Sequence, residues 1–315
     1  MDQAVQLALS LFGSFAVSLI TVDGTSRPVP LSDRPGSLLA YLALKRGQLF
    51  SRVELTATLW PDRGETVGSG TFNTTLWRLR RAIEQPPLAH GALIASDGRG
   101  WVGLRAGESL RLDLDEYEQL LVPTLAKPAP AMNEADLLAL RRGVELYRGD
   151  ILVGFSDEWA LREREKHRRH QLNALGRLMQ LSAFAGDAHG GIRYAQAILD
   201  LDMLREDVHR ELMRFYVLAG QRALALRQFE VCRSALRTEL AIQPMRETLA
   251  LYQRIANSAV GHDDEAPAAE RVELRPAPPP ATPTAAELIA AARRHLAAAD
   301  AQLKMSLPLF EPPPS

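Results

Sequence analysis

The chain has 315 residues, of which 46% are hydrophobic and 24% charged, and its formal net charge is -1. A chain of this length and composition can bury real cores, so we expect a soluble globular protein with two domains and a tail. No apolar run approaches the roughly 20 residues of a membrane-spanning helix, and the first residues have no basic signal-peptide segment. We therefore expect a cytoplasmic protein with no membrane partner.

Short β-rich runs open the chain. They are broken at Gly13 and followed by Asp23 and Gly24, a dipeptide typical of hairpin turns. Prolines at positions 28 and 30 are typical of a sheet edge. This pattern predicts a small antiparallel sheet.

Two short helices are predicted next. The first, "RPGSLLAYLALKRG", has apolar residues at helical spacing and stops at Gly47. In the second, "SRVELTATLWP", Ser51 and Glu54 have the spacing of a capping box, and Pro61 ends the helix. We expect the two apolar faces to pack together.

The segment "TFNTTLWRLRRAIE", residues 71 to 84, predicts a third helix. At 100° per residue, four apolar side chains form one inward stripe. They are Phe72, Leu76, Leu79 and Ile83. The opposite face contains Asn73, Thr74, Trp77, Arg78 and Arg81, with Arg80 on the flank.

A hairpin follows, with strands at 93–95 and 101–104 and Arg99 at the tip of the turn "SDGRG". Three helices and a hairpin are the layout of a winged helix-turn-helix. Such a third helix fits the major groove, where arginine binds guanine, and an arginine on the hairpin can enter the minor groove. A solvated helix face is the alternative, which helical spacing alone does not exclude.

From residue 113 the pattern is helical. A proline-marked break at "VPTLAKPAPA" separates the first helices, and a long helix follows, with Asp157 near its start and Gly186 past its end. The tripeptides "AGD" at 185 and "AGQ" at 219 are 34 residues apart, the period of tetratricopeptide helix pairs. Stacked helix pairs present a concave surface that usually binds a partner.

The sequence contains none of the common catalytic or nucleotide-binding motifs, so we predict neither an enzyme nor a cofactor. His167 and His170 lie in a strongly charged run, which favours a solvated helix over a metal site. Cys232 is the only cysteine, so a multi-cysteine metal site is excluded and a small core residue is favoured.

Several segments match one known family in order and spacing. They are "LSLFGSFAV", "LLAYLALKRG", "SRVELTATLWPD", "LWRLRRAIE", "LYRGDIL", "DEWALREREKHR", "VHRELMRFYVLAGQRALALRQFEVCRSALRTEL" and "QPMRETLALY". Together, over residues 7 to about 258, they resemble the bacterial transcriptional activators of the antibiotic-regulatory type. The resemblance implies a mainly α fold with a small β component, namely a winged helix-turn-helix followed by a tetratricopeptide-like bacterial transcriptional activator domain.

In that family the third helix and the wing contact double-stranded promoter DNA, often as direct repeats, and RNA polymerase is recruited beside the protein. Carried over by position, the resemblance implies DNA contacts by two sets of side chains. These are Asn73, Thr74, Trp77, Arg78 and Arg81 on the helix, and Arg99 on the wing. It also makes Arg52, at a helix start, a candidate phosphate contact, and it implies self-association on DNA and a location at the nucleoid.

The chain also departs from the family pattern. Met203 stands where the family usually has a proline, which puts the local repeat geometry in doubt. The function alternative that stays open is a helical-repeat protein–protein adaptor without sequence-specific DNA binding.

The predicted parts of the chain are residues 1–112 for the winged helix, 113–258 for the activator domain, 259–283 for a Pro/Ala-rich linker, 284–305 for a C-terminal helix and 306–315 for a flexible tail. One hypothesis is that the C-terminal helix and the "LPLF" segment dock on the helical repeats and restrain activation. A disordered end is the alternative.

Overall fold

The computed structural model describes residues 6–21, 23–61, 69–86, 88–97, 99–128 and 131–257. The chain forms two compact units. Of the described residues, the first unit contains those within 6–122 and 142–170, and the second contains those within 123–141 and 171–257. The predicted boundary at residues 112 and 113 stays a prediction. The predicted linker, C-terminal helix and tail lie outside the described residues.

The first unit opens with a four-stranded sheet in the order β3-β2-β1-β7. Its strands are β1 (Gln6–Ser10), β2 (Ala16–Ile20), β3 (Ser26–Pro28) and β7 (Leu110–Leu112). The first three strands pair antiparallel, whereas β7 pairs parallel to β1, with Leu7 opposite Leu110. The hairpin at Asp23 and Gly24 and the edge position of the proline-containing strand are confirmed.

Three helices follow, and the first packs against both of the others. They are α1 (Asp33–Leu44), α2 (Arg52–Leu59) and α3 (Ser69–Ile83). The predicted capping box begins α2, since the Ser51 hydroxyl accepts a hydrogen bond from the Glu54 amide at 3.1 Å. Gly47, with a φ of 80°, lies just past α1 in the left-handed region that glycine tolerates. The facing leucines of α1 and α2 are buried, as expected.

A second, three-stranded sheet in the order β4-β6-β5 forms the wing. Its strands are β4 (Phe50–Ser51), β5 (Ile94–Ser96) and β6 (Trp101–Leu104). The predicted hairpin is confirmed, with its first strand displaced by one residue along the chain. Val102, Gly103 and Leu104 of β6 are buried, whereas Trp101 at the start of the strand is exposed.

Helix α4 (Asp113–Ala126) continues through Pro123, so the predicted break at "VPTLAKPAPA" begins only in the second half of that segment, after Ala126. Buried Leu121 and Thr124 flank the proline. Because proline has no backbone N–H, the hydrogen bond to the Gln119 carbonyl is missing at this point of the helix. The helix ends before Lys127 and Pro128.

The remaining helices are α5 (Glu134–Leu146), α6 (Glu158–Ala185), α7 (Ala188–Leu201), α8 (Glu206–Leu218), α9 (Arg222–Leu240) and α10 (Arg246–Asn257). In the second unit, α7 packs on α8, α8 on α9, and α10 on both α8 and α9. Gly186 and Gly220 turn the chain between helices at positive φ, which confirms the two predicted repeat turns.

Met203 lies in the connection between α7 and α8, so the helix break forms without the family's proline. The Met203 carbonyl lies 3.0 Å from Nε2 of the buried His209, which fixes this turn. Cys232 is fully buried, and burial raises the pKa of its thiol to about 12. The prediction of a small core residue is therefore confirmed.

The prediction of a solvated helix face around His167 is wrong, because its side chain is fully buried. In the first unit it packs against the rings of Phe12 and Tyr117, and its Nε2 lies 3.6 Å from Glu163 Oε2. Within the described part of the chain, no cluster of metal-ligating side chains exists. Across the same residues, no helix is long and apolar enough to cross a bilayer.

Candidate nucleic-acid interface

Helix α3 has one buried face and one exposed face. Phe72, Leu76, Leu79 and Ile83 are each at most 5% exposed, which confirms the predicted inward stripe. On the opposite face the side chains are exposed to solvent, and Trp77, next to Leu76 in the chain, is 56% exposed. The five side chains predicted to contact DNA on this helix, Asn73, Thr74, Trp77, Arg78 and Arg81, are all exposed.

The rotation of α3 is fixed by two side chains that bind the wing. The Arg80 guanidinium donates to the Ile94 carbonyl at 3.2 Å and to the Ser96 hydroxyl at 2.8 Å. The Glu84 carboxylate accepts from the amides of Gly91, Leu93 and Ile94 at 2.8 to 3.0 Å. Sequence reasoning placed Arg80 on the flank and did not assign Glu84, because their partners lie outside the helix.

The exposed face of α3 is basic and is not neutralised by neighbouring acids. Among the described residues, no carboxylate lies within 4.0 Å of Arg78 or Arg81. Elsewhere arginines pair locally, as Arg205 does with Asp207 at 2.7 Å. Thr74 donates its hydroxyl to the Gly70 carbonyl at 2.8 Å, which leaves the oxygen as an acceptor. The face therefore offers two free guanidinium groups beside polar side chains.

Arg81 lies over the ring of Trp77. Its guanidinium carbon is 5.2 Å from the ring centroid, within the range of a cation–π contact. The two residues are one helical turn apart, the spacing at which helix side chains meet. This stack orients Arg81 on the exposed face.

The wing turn is built by Asp97. Its carboxylate accepts from the amides of Arg99 at 3.0 Å and Trp101 at 2.8 Å, and Gly100 adopts a φ of 91°. Arg99 is exposed at this turn. A methyl group built on Gly100 would lie 3.6 Å from Arg52 Nε, so Arg52 lies against the same turn. The structure thus places Arg52 against the turn that carries Arg99.

A cleft of about 470 Å³ opens beside the first turn of α3. Arg34 and Arg78 both line it, together with Thr71 and Thr74. Arg34 donates to the Leu59 carbonyl at 2.7 Å and lies over the Trp60 ring. Sequence reasoning missed Arg34, because it lies in α1, away from the third helix in the chain.

Two family models match the chain. One, described as "Transcriptional regulatory protein, C terminal", matches residues 26–102, which contain α1 to α3 and most of the wing. The other, "Bacterial transcriptional activator domain", matches residues 112–256. Their order is the order that the fold and the sequence resemblance predict.

Curated relatives are also transcription regulators. The chain is 28% identical to regulatory protein AfsR of Streptomyces coelicolor over 256 residues, covering 80% of this chain but 25% of that protein. It is 21% identical to transcriptional regulatory protein MoaR1 of Mycobacterium tuberculosis, covering 75% of this chain and 76% of the relative. The chain therefore spans about a quarter of the length of AfsR.

A solved structure has the same fold. It is "Mycobacterium tuberculosis EmbR in complex with low affinity phosphopeptide", which superposes with a TM-score of 0.62 at 17% sequence identity. The match covers 96% of this chain and 72% of that one. The predicted fold class, a winged helix followed by a helical repeat domain, is confirmed.

Proposed function

We propose that this chain, which belongs to the bacterial transcriptional activators of the antibiotic-regulatory type, binds promoter DNA through the exposed face of α3. One observation supports the proposal above the others. Arg78 and Arg81 stand exposed, without a carboxylate partner among the described residues, on a helix whose opposite face is locked in the core. A basic face of this kind attracts a polyanion such as DNA.

In this proposal α3 enters the major groove. Arg78 and Arg81 contact guanine edges, and Asn73 and Thr74 contact base edges or phosphates. Arg99 enters the neighbouring minor groove, and Arg52 beside it binds a phosphate. The anchoring of α3 to the wing by Arg80 and Glu84 supports this arrangement, since two rigidly linked elements can contact adjacent grooves in one register.

We extend the proposal to activation on family grounds. Bound to direct repeats, two copies associate side by side, and RNA polymerase is recruited next to them. The helical unit offers a surface for such a partner, because four apolar side chains around the α9–α10 connection are exposed. They are Leu240, Ile242, Met245 and Leu249. The two matching families consist of transcription regulators, which are not enzymes.

Genomic footprinting tests the proposal. Purified full-length protein is mixed with fragmented genomic DNA of the source organism, and protected fragments are sequenced. We expect a small set of protected sites containing a repeated half-site. Arg78→Ala should weaken protection, whereas Arg227→Ala, an exposed arginine on α9, should preserve it. A parent protein that protects no defined site would refute the proposal.

The same exposed apolar side chains would also suit the adaptor alternative, in which the helical unit binds a protein and the winged helix does not read DNA. The footprint separates the two functions. An adaptor yields no protected sites, and its Arg78→Ala variant behaves as the parent does.

A further inference from the structure

We infer that Trp77 and Arg81 form one base-reading unit, and that they recognise a guanine next to a thymine. The inference rests on the proposed function, because it names the base step that the exposed face of α3 would bind. It goes beyond that proposal because it assigns Trp77 a role in selecting the DNA sequence, whereas the proposed function only places this residue on the DNA-contacting face.

The geometry joins the two side chains before any DNA is bound. The Arg81 guanidinium lies 5.2 Å from the centroid of the Trp77 ring. Both residues are exposed, so the stack covers a face of the guanidinium and leaves its N–H groups accessible. Exposed arginines lose rotamer freedom on binding, and a side chain already held by a ring loses less.

The other two arginines of α3 make different contacts. Arg80 donates to Ile94 and Ser96 of the wing, so its guanidinium is not available to a base. Arg78 lines the cleft at the start of the helix. In the described part of α3, Arg81 is the arginine that lies over an aromatic ring. Arg81 is therefore the preoriented candidate.

The chemistry of the pair defines the bases. A guanidinium donates two parallel hydrogen bonds to O6 and N7 of guanine. An exposed indole presents an apolar surface, and in the major groove the thymine C5 methyl is the apolar group that a base offers. Consecutive base pairs are about 3.4 Å apart, so side chains in contact with each other reach neighbouring base pairs. A guanine beside a thymine satisfies both groups.

The test begins with in vitro selection of duplex DNA from a random pool by the full-length protein. Each thymine next to a guanine in the selected site is then replaced, one at a time, by deoxyuridine, which removes only the C5 methyl. We expect one replacement to weaken binding by the parent about fourfold, the effect of one buried methyl group. The same replacement should leave binding by Trp77→Ala unchanged.

Two further variants complete the design. Arg81→Ala should lose the preference for guanine at the neighbouring position, because it removes both hydrogen bonds to O6 and N7. Trp101→Ala removes another exposed tryptophan of the same unit, outside the stack, and should keep the full effect of the deoxyuridine replacement.

The inference is overturned if no deoxyuridine replacement affects the parent. It is also overturned if Trp77→Ala weakens binding to all sequences equally, since the indole would then contribute no sequence preference. In both cases a selected site still exists, and the proposed function stands. A selection that enriches no sequence would instead refute the proposed function itself.

Discussion

Leu76→Ala tests the rotation of α3, on which the assignment of the DNA-contacting face depends. Leu76 is 5% exposed, beside fully buried Leu79 and Ile83, while the next residue along the chain faces solvent. Truncation to alanine removes three carbon atoms, and at about 0.8 kcal/mol for each buried methylene the loss of burial costs roughly 2.4 kcal/mol. The cavity left behind adds to this, so we expect a total cost of about 2–5 kcal/mol.

Intrinsic tryptophan fluorescence measures this loss in the first unit alone. All 4 tryptophans of the chain, Trp60, Trp77, Trp101 and Trp159, belong to that unit. Trp60 is buried with its ring 6.3 Å from that of Phe72, next to the site of the change. For a unit of this size the expected decrease in melting temperature is roughly 4–20 °C.

Arg78→Ala is the matched control, because it removes a long side chain from the exposed face of the same helix. We expect its melting temperature to stay close to that of the parent, since exposed substitutions usually change stability by less than about 0.5 kcal/mol. An unchanged melt for Leu76→Ala, together with a large decrease for Arg78→Ala, would mean that the helix is rotated and that the assigned face is wrong.

Three other predictions concern the rest of the chain. Gly191→Ala should lower the unfolding free energy of the second unit by about 1–3 kcal/mol, because its methyl group would lie 2.2 Å from the Phe215 ring. Gly176→Ala is the control: its methyl group would have no atom within 4 Å, so it should raise the unfolding free energy by up to about 1 kcal/mol. Chemical denaturation followed by circular dichroism measures both, and a Gly191→Ala variant more stable than Gly176→Ala would contradict the packing described. His167, Lys45 and Lys166 lower the pKa of Glu163 from 4.5 to about 2, which outweighs the opposite effect of burial. The ionised Glu163 carboxylate therefore stabilises the fold above pH 4.5, and this stabilisation is lost as the pH falls towards 2. Glu163→Gln should flatten that part of the curve of unfolding free energy against pH, and an unchanged curve would contradict the account. Deletion of residues 261–315 should leave DNA binding intact and raise transcription from the target promoter, and a truncated protein that activates no better than the full chain would refute docking of the tail.

Local patterns in the sequence predicted much of the fold. The inward stripe of α3 follows from apolar residues at a spacing of three and four, and the capping box of α2 from Ser51 and Glu54. These signals lie within a few residues of one another, which is the range over which helix geometry acts. The wing hairpin was equally local, with its turn residues between two short β-rich runs.

Features that depend on distant contacts were not predictable in this way. Strand β7 pairs with β1 across about a hundred residues, and Asp113, which follows it, accepts hydrogen bonds from the Leu11 and Phe12 amides at the end of β1. The burial of His167 depends on aromatic side chains from two other segments. In the candidate interface, spacing found the exposed arginines, whereas the anchoring role of Arg80 required the position of the wing.

The central claim is that the exposed face of α3 reads DNA, and the most direct test is the affinity of three variants for one selected site. Binding is measured at fixed salt against the same site and against random competitor DNA for Arg78→Ala, Arg81→Ala and Arg227→Ala. We expect each of the two α3 variants to lose about 5-fold to 150-fold in affinity for the site, with melting temperatures close to that of the parent, and Arg227→Ala to bind as the parent does. If Arg78→Ala and Arg81→Ala both bind the site as tightly as the parent, α3 is not the DNA-reading helix.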